Sequence, residues 1–316
     1  MKKLISIDKF CEGSQVQGFY ICVKKNIRHT KGGDLYIDLQ LRDMTGNIGA
    51  KIWENISDLG SKFEKGDAVA ISGYVESYLD HLQLIIKKIN KATLQYYGRY
   101  GFDPASIVPS SKQDPQKMWK VLLSIIKDIK TKELKRLLFL IYRSNKNKIM
   151  IQPGSIKSSY NFRSGFLEQT ISMAQIAKKL SPFYNIDKDL VIGGVLLIKI
   201  GVIKHIKPGY ITDYSKEGNL LGQSVISRDI LRSAIKRVKN FPFDLKIKLE
   251  HILLSFENNF QPKTTHRPSF PEALLIHFIY KMDSNMNLMQ KAILEDKGED
   301  DFTSSYNHFR APILKK

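Results

Sequence analysis

Apolar and polar residues alternate along roughly the first 95 positions, the period of strands that cover a core with one face. Residues 16–25 set Phe19, Ile21 and Val23 on one face and Tyr20, Cys22 and Lys24 on the other. Residues 34–42 repeat the pattern, with Leu35, Ile37, Leu39 and Leu41 against Tyr36, Asp38, Gln40 and Arg42. Asp43, Thr45, Gly46 and Asn47 supply turn chemistry, after which Ile48, Ala50 and Ile52 oppose Lys51 and Trp53. Lys65-Gly66-Asp67 opens a fourth strand over 68–76, and Leu79-Asp80-His81 turns the chain into a fifth over 82–89. Five short antiparallel strands, with a helix over 55–63, predict a small closed barrel.

Residues 96–113 lack either period and carry Gly98, Gly101, Pro104 and Pro109, so they read as a linker. Its aromatics Tyr96, Tyr97, Tyr100 and Phe102 call for a surface to pack on. From Asp114 the period becomes helical. Asp114-Pro115 makes an N-cap and first-turn pair, and Met118, Val121, Leu122, Ile125 and Ile126 follow as an apolar stripe. Further helices are predicted near 132–142, 165–180, 188–203, 221–239, 245–256 and 272–294, and a loosely held tail after Lys297. The division is therefore 1–95, a linker over 96–113, and a helical domain over 114–316.

Composition narrows the class. Of 316 residues, 42% are hydrophobic and 26% charged, the balance of a folded globular chain. The apolar run 191–200 is too short to cross a bilayer and holds Lys199. Asp8, Lys9 and Glu12 interrupt the N-terminal apolar stretch before it can act as a signal peptide. Cys11 and Cys22 can form neither a disulfide framework nor a four-cysteine zinc site. A soluble protein of the reducing cytoplasm is expected, with no membrane partner. The formal charge of +19 favours a polyanionic partner, although an AT-rich genome would also enrich Lys, Ile and Asn. The charge is uneven: residues 1–95 hold 14 Lys+Arg against 11 Asp+Glu, and the remainder holds 36 against 20.

Leu39-Gln40-Leu41-Arg42-Asp43, the Thr45-Gly46 turn, Ile48-Gly49-Ala50-Lys51-Ile52-Trp53, Lys65-Gly66-Asp67-Ala68-Val69 and Gly73-Tyr74-Val75 together resemble the OB-fold of anticodon-binding and single-strand-binding proteins. Alternation places Tyr20, Lys24, Tyr36, Arg42, Lys51 and Trp53 on the outward face of the first three strands. Flat rings stack on bases and cations meet phosphates, so these six are the candidate nucleic-acid-binding residues. Packing of Tyr36 and Trp53 against the second domain is the alternative use of the same face.

Residues 164–173, 190–201, 218–223, 250–255, 267–273 and 276–283 carry a set of motifs in fixed order. On these stretches the helical part resembles the HD domain of YhaM-type 3′-5′ exoribonucleases, which also carry an N-terminal OB-fold. The resemblance implies a divalent metal such as Mn²⁺, held by imidazoles and carboxylates, that activates water and clamps a phosphate. The positions that should carry those ligands hold Gln169, Ile198, Lys199, Gln223, Phe256, Glu257 and Tyr280, and Tyr160 stands where a further histidine is frequent. His251 and Asp283 match the family. Ile198 and Phe256 offer no lone pair, Lys199 is a cation, and one carboxylate, Glu257, does not make a site. No cofactor and no catalytic residue is therefore expected. Lys199 either pairs with Glu257 inside the former pocket or reaches solvent from its helix end. Patterns for phosphate loops, dinucleotide loops and serine nucleophiles are absent.

The expected fold class is multidomain α and β: an N-terminal five-stranded OB-fold β-barrel followed by an all-α HD-type helical domain. The expected function is binding of RNA or other single-stranded nucleic acid without catalysis. An active metal-dependent 3′-5′ exoribonuclease and an oligomeric scaffold or assembly factor are the alternatives. Homo-oligomerisation is implied by the resemblance alone.

Overall fold

The structure is a computed structural model that describes residues 4–30, 32–207, 209–256 and 267–315. The chain divides into two compact units, Met1–Ser110 with Gly209–Thr212, and Ser111–Pro208 with Asp213–Lys316.

The first unit is a closed barrel of β1 (Gln15–His29), β2 (Leu35–Arg42), β3 (Asn47–Ile52), β4 (Ala68–Tyr78) and β5 (His81–Lys91). Their order around the ring is β1-β2-β3-β5-β4, and β3 with β5 is the parallel pair. Strand β1 serves two neighbours: Gln15 to Ile21 pair with β4, and Ile21 to His29 pair with β2. An irregularity between Cys22 and Lys24 marks the handover. Helix α1 (Ile56–Ser61) links β3 to β4, and Leu59 and Phe63 join the barrel core.

The interior corrects the expected face of β1. Val16, Tyr20 and Cys22 are buried with Ile37, Leu39, Leu41, Ile52 and Val69 inside the barrel. Tyr20 is therefore not an outward residue. Gly18 makes this possible: a Cβ there would lie 2.3 Å from the Tyr20 hydroxyl. That hydroxyl donates to the Ile5 carbonyl at 2.6 Å. Phe19, Ile21 and Val23 occupy the opposite, outer face, where Ala92, Phe102, Ile107 and Val108 cover them. Residues 96–110 of the segment expected to be a linker are thus part of the unit. The chain here forms α2 (Leu94–Tyr97), capped by Thr93, and two 3-10 turns at Gly98–Tyr100 and Pro104–Ser106.

The second unit is helical: α3 (Pro115–Asp128), α4 (Lys132–Ser144), α5 (Lys146–Ile149), α6 (Gly165–Leu180), α7 (Lys188–Leu197), α8 (Val202–His205), α9 (Lys216–Ile235), α10 (Phe243–Ser255) and α11 (Pro271–Glu295). Helix α7 is buried from Leu190 to Leu197, as a helix apolar on all sides must be. The helix expected over 188–203 is interrupted instead by a turn at 198–201. Gly201 is needed there, because a Cβ would lie 2.4 Å from the Gln223 carbonyl oxygen. Helix α9 begins before the expected 221 and bends at Gly222, where φ is 75°. The tail is not loose. Thr303 and Lys315 donate backbone hydrogen bonds to Ile313 and Asp301, and the Lys315 ammonium pairs with Asp296. Among the described residues, no helix is long and apolar enough to cross a membrane.

Candidate nucleic-acid interface

The pairing registers place Lys24 opposite Gln40, Asp38 opposite Lys51, and Gln40 opposite Gly49. Since Ile37, Leu39, Leu41, Ala50 and Ile52 point inward, Lys24, Tyr36, Arg42, Lys51 and Trp53 share the outer surface. Tyr36 and Trp53 stack with ring centroids 4.8 Å apart and planes 27° from parallel. Such a pair contributes about 0.5–1.5 kcal/mol beyond its buried area. The Lys51 ammonium lies 5.5 Å from the Tyr36 ring, 5.3 Å from Trp53 and 5.2 Å from Tyr78. One cation thus draws three rings together. Trp53 remains 41% exposed and Tyr78 58%, so the cluster presents ring surface to solvent.

Tyr78 escaped the sequence reading because β4 was expected to end at Glu76. Extending the alternation Ser72, Tyr74, Glu76 by one step reaches it. The other candidates differ in place. Lys24 is exposed on β1 beside the irregularity. Arg42 turns its guanidinium to the Tyr210 carbonyl at 3.4 Å, at the margin of the face. Nearer the cluster, Arg28 and Asp38 form an ion pair at 3.2 Å.

In the helical unit the structure gathers Gln169, Lys199, Phe256 and Tyr280. The Lys199 ammonium donates to the Gly154 carbonyl at 2.7 Å and to Gln169 Oε1 at 2.8 Å, and lies 5.7 Å from the Tyr280 ring. Lys199 is 5% exposed, so it does not reach solvent. Gln169 Nε2 in turn donates to Ser284 Oγ, and Phe256 meets Tyr280 edge-on at 5.2 Å. Ile198 is fully buried in the apolar core. Gln223 belongs to the α9 contact with Gly201, with its amide nitrogen buried and unpartnered. Glu257, and with it the expected Lys199–Glu257 pair, lies outside the described residues.

Asp283 stands next to this network. Its Oδ1 accepts from Tyr160 and from Ser172. Burial pushes its carboxyl above the ordinary value, against the opposing pull of Ser172, Tyr160, Gln169 and the Lys199 charge. Burial and then the Asp283 charge push the Tyr160 phenol up. These residues do not fit a divalent cation. An ammonium already occupies the centre, it takes up the Gln169 carbonyl oxygen, and Ile198 and Phe256 have nothing to donate. Among the described residues, no three His, Cys, Asp or Glu side chains gather.

Comparison with known proteins bears on the barrel. The family of OB-fold nucleic-acid-binding domains of the tRNA anticodon type matches residues 22–92. The second OB-fold domain of replication protein A from Methanococcus maripaludis is 23% identical over 28% of this chain and 94% of that one, with a TM-score of 0.24. An OB domain from Methanosarcina mazei is 21% identical over 29% and 87%, with a TM-score of 0.25. A mitochondrial single-stranded DNA-binding protein from S. cerevisiae is 15% identical over 26% and 97%, with a TM-score of 0.23. The N-terminal unit of this chain is an OB-fold nucleic-acid-binding domain.

Proposed function

We propose that the chain is a single-stranded RNA-binding protein related to YhaM-type exoribonucleases, and that its HD-type helical unit no longer cleaves phosphodiesters. The observation that carries the binding half is the Tyr36–Trp53 stack gathered under Lys51 on the outer face of β2 and β3. Rings held at fixed angles give bases a stacking surface at little ordering cost, and Lys24 and Lys51 supply charge for the backbone. The helical unit adds most of the net positive charge, so it shares the electrostatic grip on the phosphates. The loss of catalysis is supported by the buried Lys199 ammonium, bonded where the resemblance calls for a metal-binding aspartate. The protein works in the cytoplasm and needs no cofactor in this reading.

Anisotropy titration of a labelled single-stranded RNA tests it. Trp53→Ala weakens binding about tenfold, within the ~1–3 kcal/mol that one stacked base contributes. Binding also weakens steeply as salt rises. Wild-type affinity in the variant would overturn the assignment of the face. Incubation of a single-stranded RNA with Mn²⁺ leaves its 3′ end intact; shortening that Glu257→Ala abolishes would restore the nuclease reading.

A further inference from the structure

A recess lies on the same barrel, on the outer wall where β1 meets β4. It is open to solvent with a volume of about 370 Å³, and Gly18, Ala70 and Ser72 of those two strands line it. Its aromatic wall comes from the segment after β5. Tyr97 stands edge-on to Phe19 at 5.9 Å and 78°, and Tyr100 leans on Tyr97 at 6.1 Å. Gln17, Lys88 and Asn90 also line the recess. Their side chains are exposed and take part in none of the hydrogen bonds or ion pairs among the described residues. The Arg99 guanidinium lies 4.8 Å from the Tyr100 ring at the margin.

This combination selects for one kind of ligand. An aliphatic group would leave two amides unused, and a bare anion would leave three rings unused. A flat heterocycle uses both: its faces and edges meet rings, and its ring nitrogens and exocyclic groups meet amides that both donate and accept. Two cations beside the recess suit the attached phosphate. The volume falls within the range of small-ligand sites, roughly 300–1,000 Å³. In the ring, β1 lies between β2 and β4; Tyr36 pairs with Arg28 and the recess lies at Gln17 to Phe19, so a strand that lies across the Tyr36–Trp53 stack runs about nine residues along β1, roughly 30 Å, to reach the recess.

We propose that this recess is a second base-binding subsite, which takes one nucleotide from the strand held by the β2–β3 face. The proposal rests on the reading of the barrel as a single-strand binder and adds a contact on a different wall. It also gives the aromatic segment after β5 a ligand-binding role beyond covering Ile21.

Oligouridylates of about 4 and about 12 nucleotides, both within the range of common site sizes, separate the two subsites. Affinities are measured for wild type, Trp53→Ala, Tyr100→Ala and Asn90→Ala, with melting temperatures as the fold control. Tyr100 and Asn90 are exposed, so both variants melt as wild type does. Trp53→Ala weakens both oligomers. Tyr100→Ala and Asn90→Ala weaken the longer oligomer, the former roughly tenfold, and leave the shorter unchanged. A 4-thiouridine in the longer oligomer cross-links to the peptide holding Tyr97 and Tyr100. Equal affinity of wild type and Tyr100→Ala for the longer oligomer, with Trp53→Ala still weakened, would overturn the second subsite and leave the β2–β3 reading intact. Absence of binding by wild type at low salt would overturn both.

Discussion

Lys199 Nζ and Gln169 Oε1 meet at 2.8 Å in the interior of the helical unit, 30 residues apart in sequence. An ammonium with two buried acceptors is costly to remove. Lys199→Met leaves the Gly154 carbonyl and the Gln169 amide oxygen without this donor, each loss worth about 1–3 kcal/mol. The expected result is a clear drop in melting temperature and in denaturant midpoint. A Lys199→Met protein as stable as wild type would show that the ammonium contributes nothing to the closed fold.

Asp283 gives the helical unit a pH dependence of predictable sign. Burial raises its folded-state value above the ordinary 3.8. Between those two values the folded chain holds a proton that the unfolded chain has released. The contribution of this group is therefore full below 3.8 and is lost as pH rises through the folded value. Melting curves across the acid range, compared with those of Asp283→Asn, should show that component of the decline in wild type alone. Parallel curves for the two proteins would contradict the assignment.

Tyr20→Phe separates the interior from the binding face. It removes the hydroxyl that donates to Ile5, at a cost of about 1 kcal/mol. RNA affinity stays at the wild-type level, because the ring faces the barrel core. Loss of affinity without loss of stability would return Tyr20 to the outer surface.

The two thiols should react differently. Cys11 is exposed and Cys22 is fully buried, with burial pushing the Cys22 thiol up to about 12. A disulfide reagent at neutral pH titrates one thiol in the native protein and two after denaturation. Rapid modification of both in the native state would contradict the packing around β1.

Alternation alone was enough to place Tyr36, Arg42, Lys51 and Trp53 outward, because one side of β2 and β3 is wholly apolar and the other is not. It failed on β1, where both sides are apolar. Phe19, Ile21 and Val23 are as hydrophobic as core residues, yet they lie under Phe102 and Val108. The local clue was Gly18, two residues before Tyr20 and on the same side. In the helical unit Gln169, Lys199 and Tyr280 were legible one residue at a time. The polar network beside them was not, since Tyr160 and Ser172 reach Asp283 across 123 and 111 positions. No local period encodes such a meeting.

The divided pairing of β1 also sets how the barrel is assembled. Hairpins β1–β2, β2–β3 and β4–β5 join neighbours in sequence, and each can form early. The two remaining seams, β1–β4 and β3–β5, join residues some tens of positions apart, and only they turn the sheet into a ring. Their loop-closure entropy falls on the last step. The first half of β1 is one side of such a seam, so Gln15 to Ile21 remain an open edge until closure. The residues that seal it, from Ala68 to Tyr74, govern how fast the domain folds and how long a sticky intermediate survives.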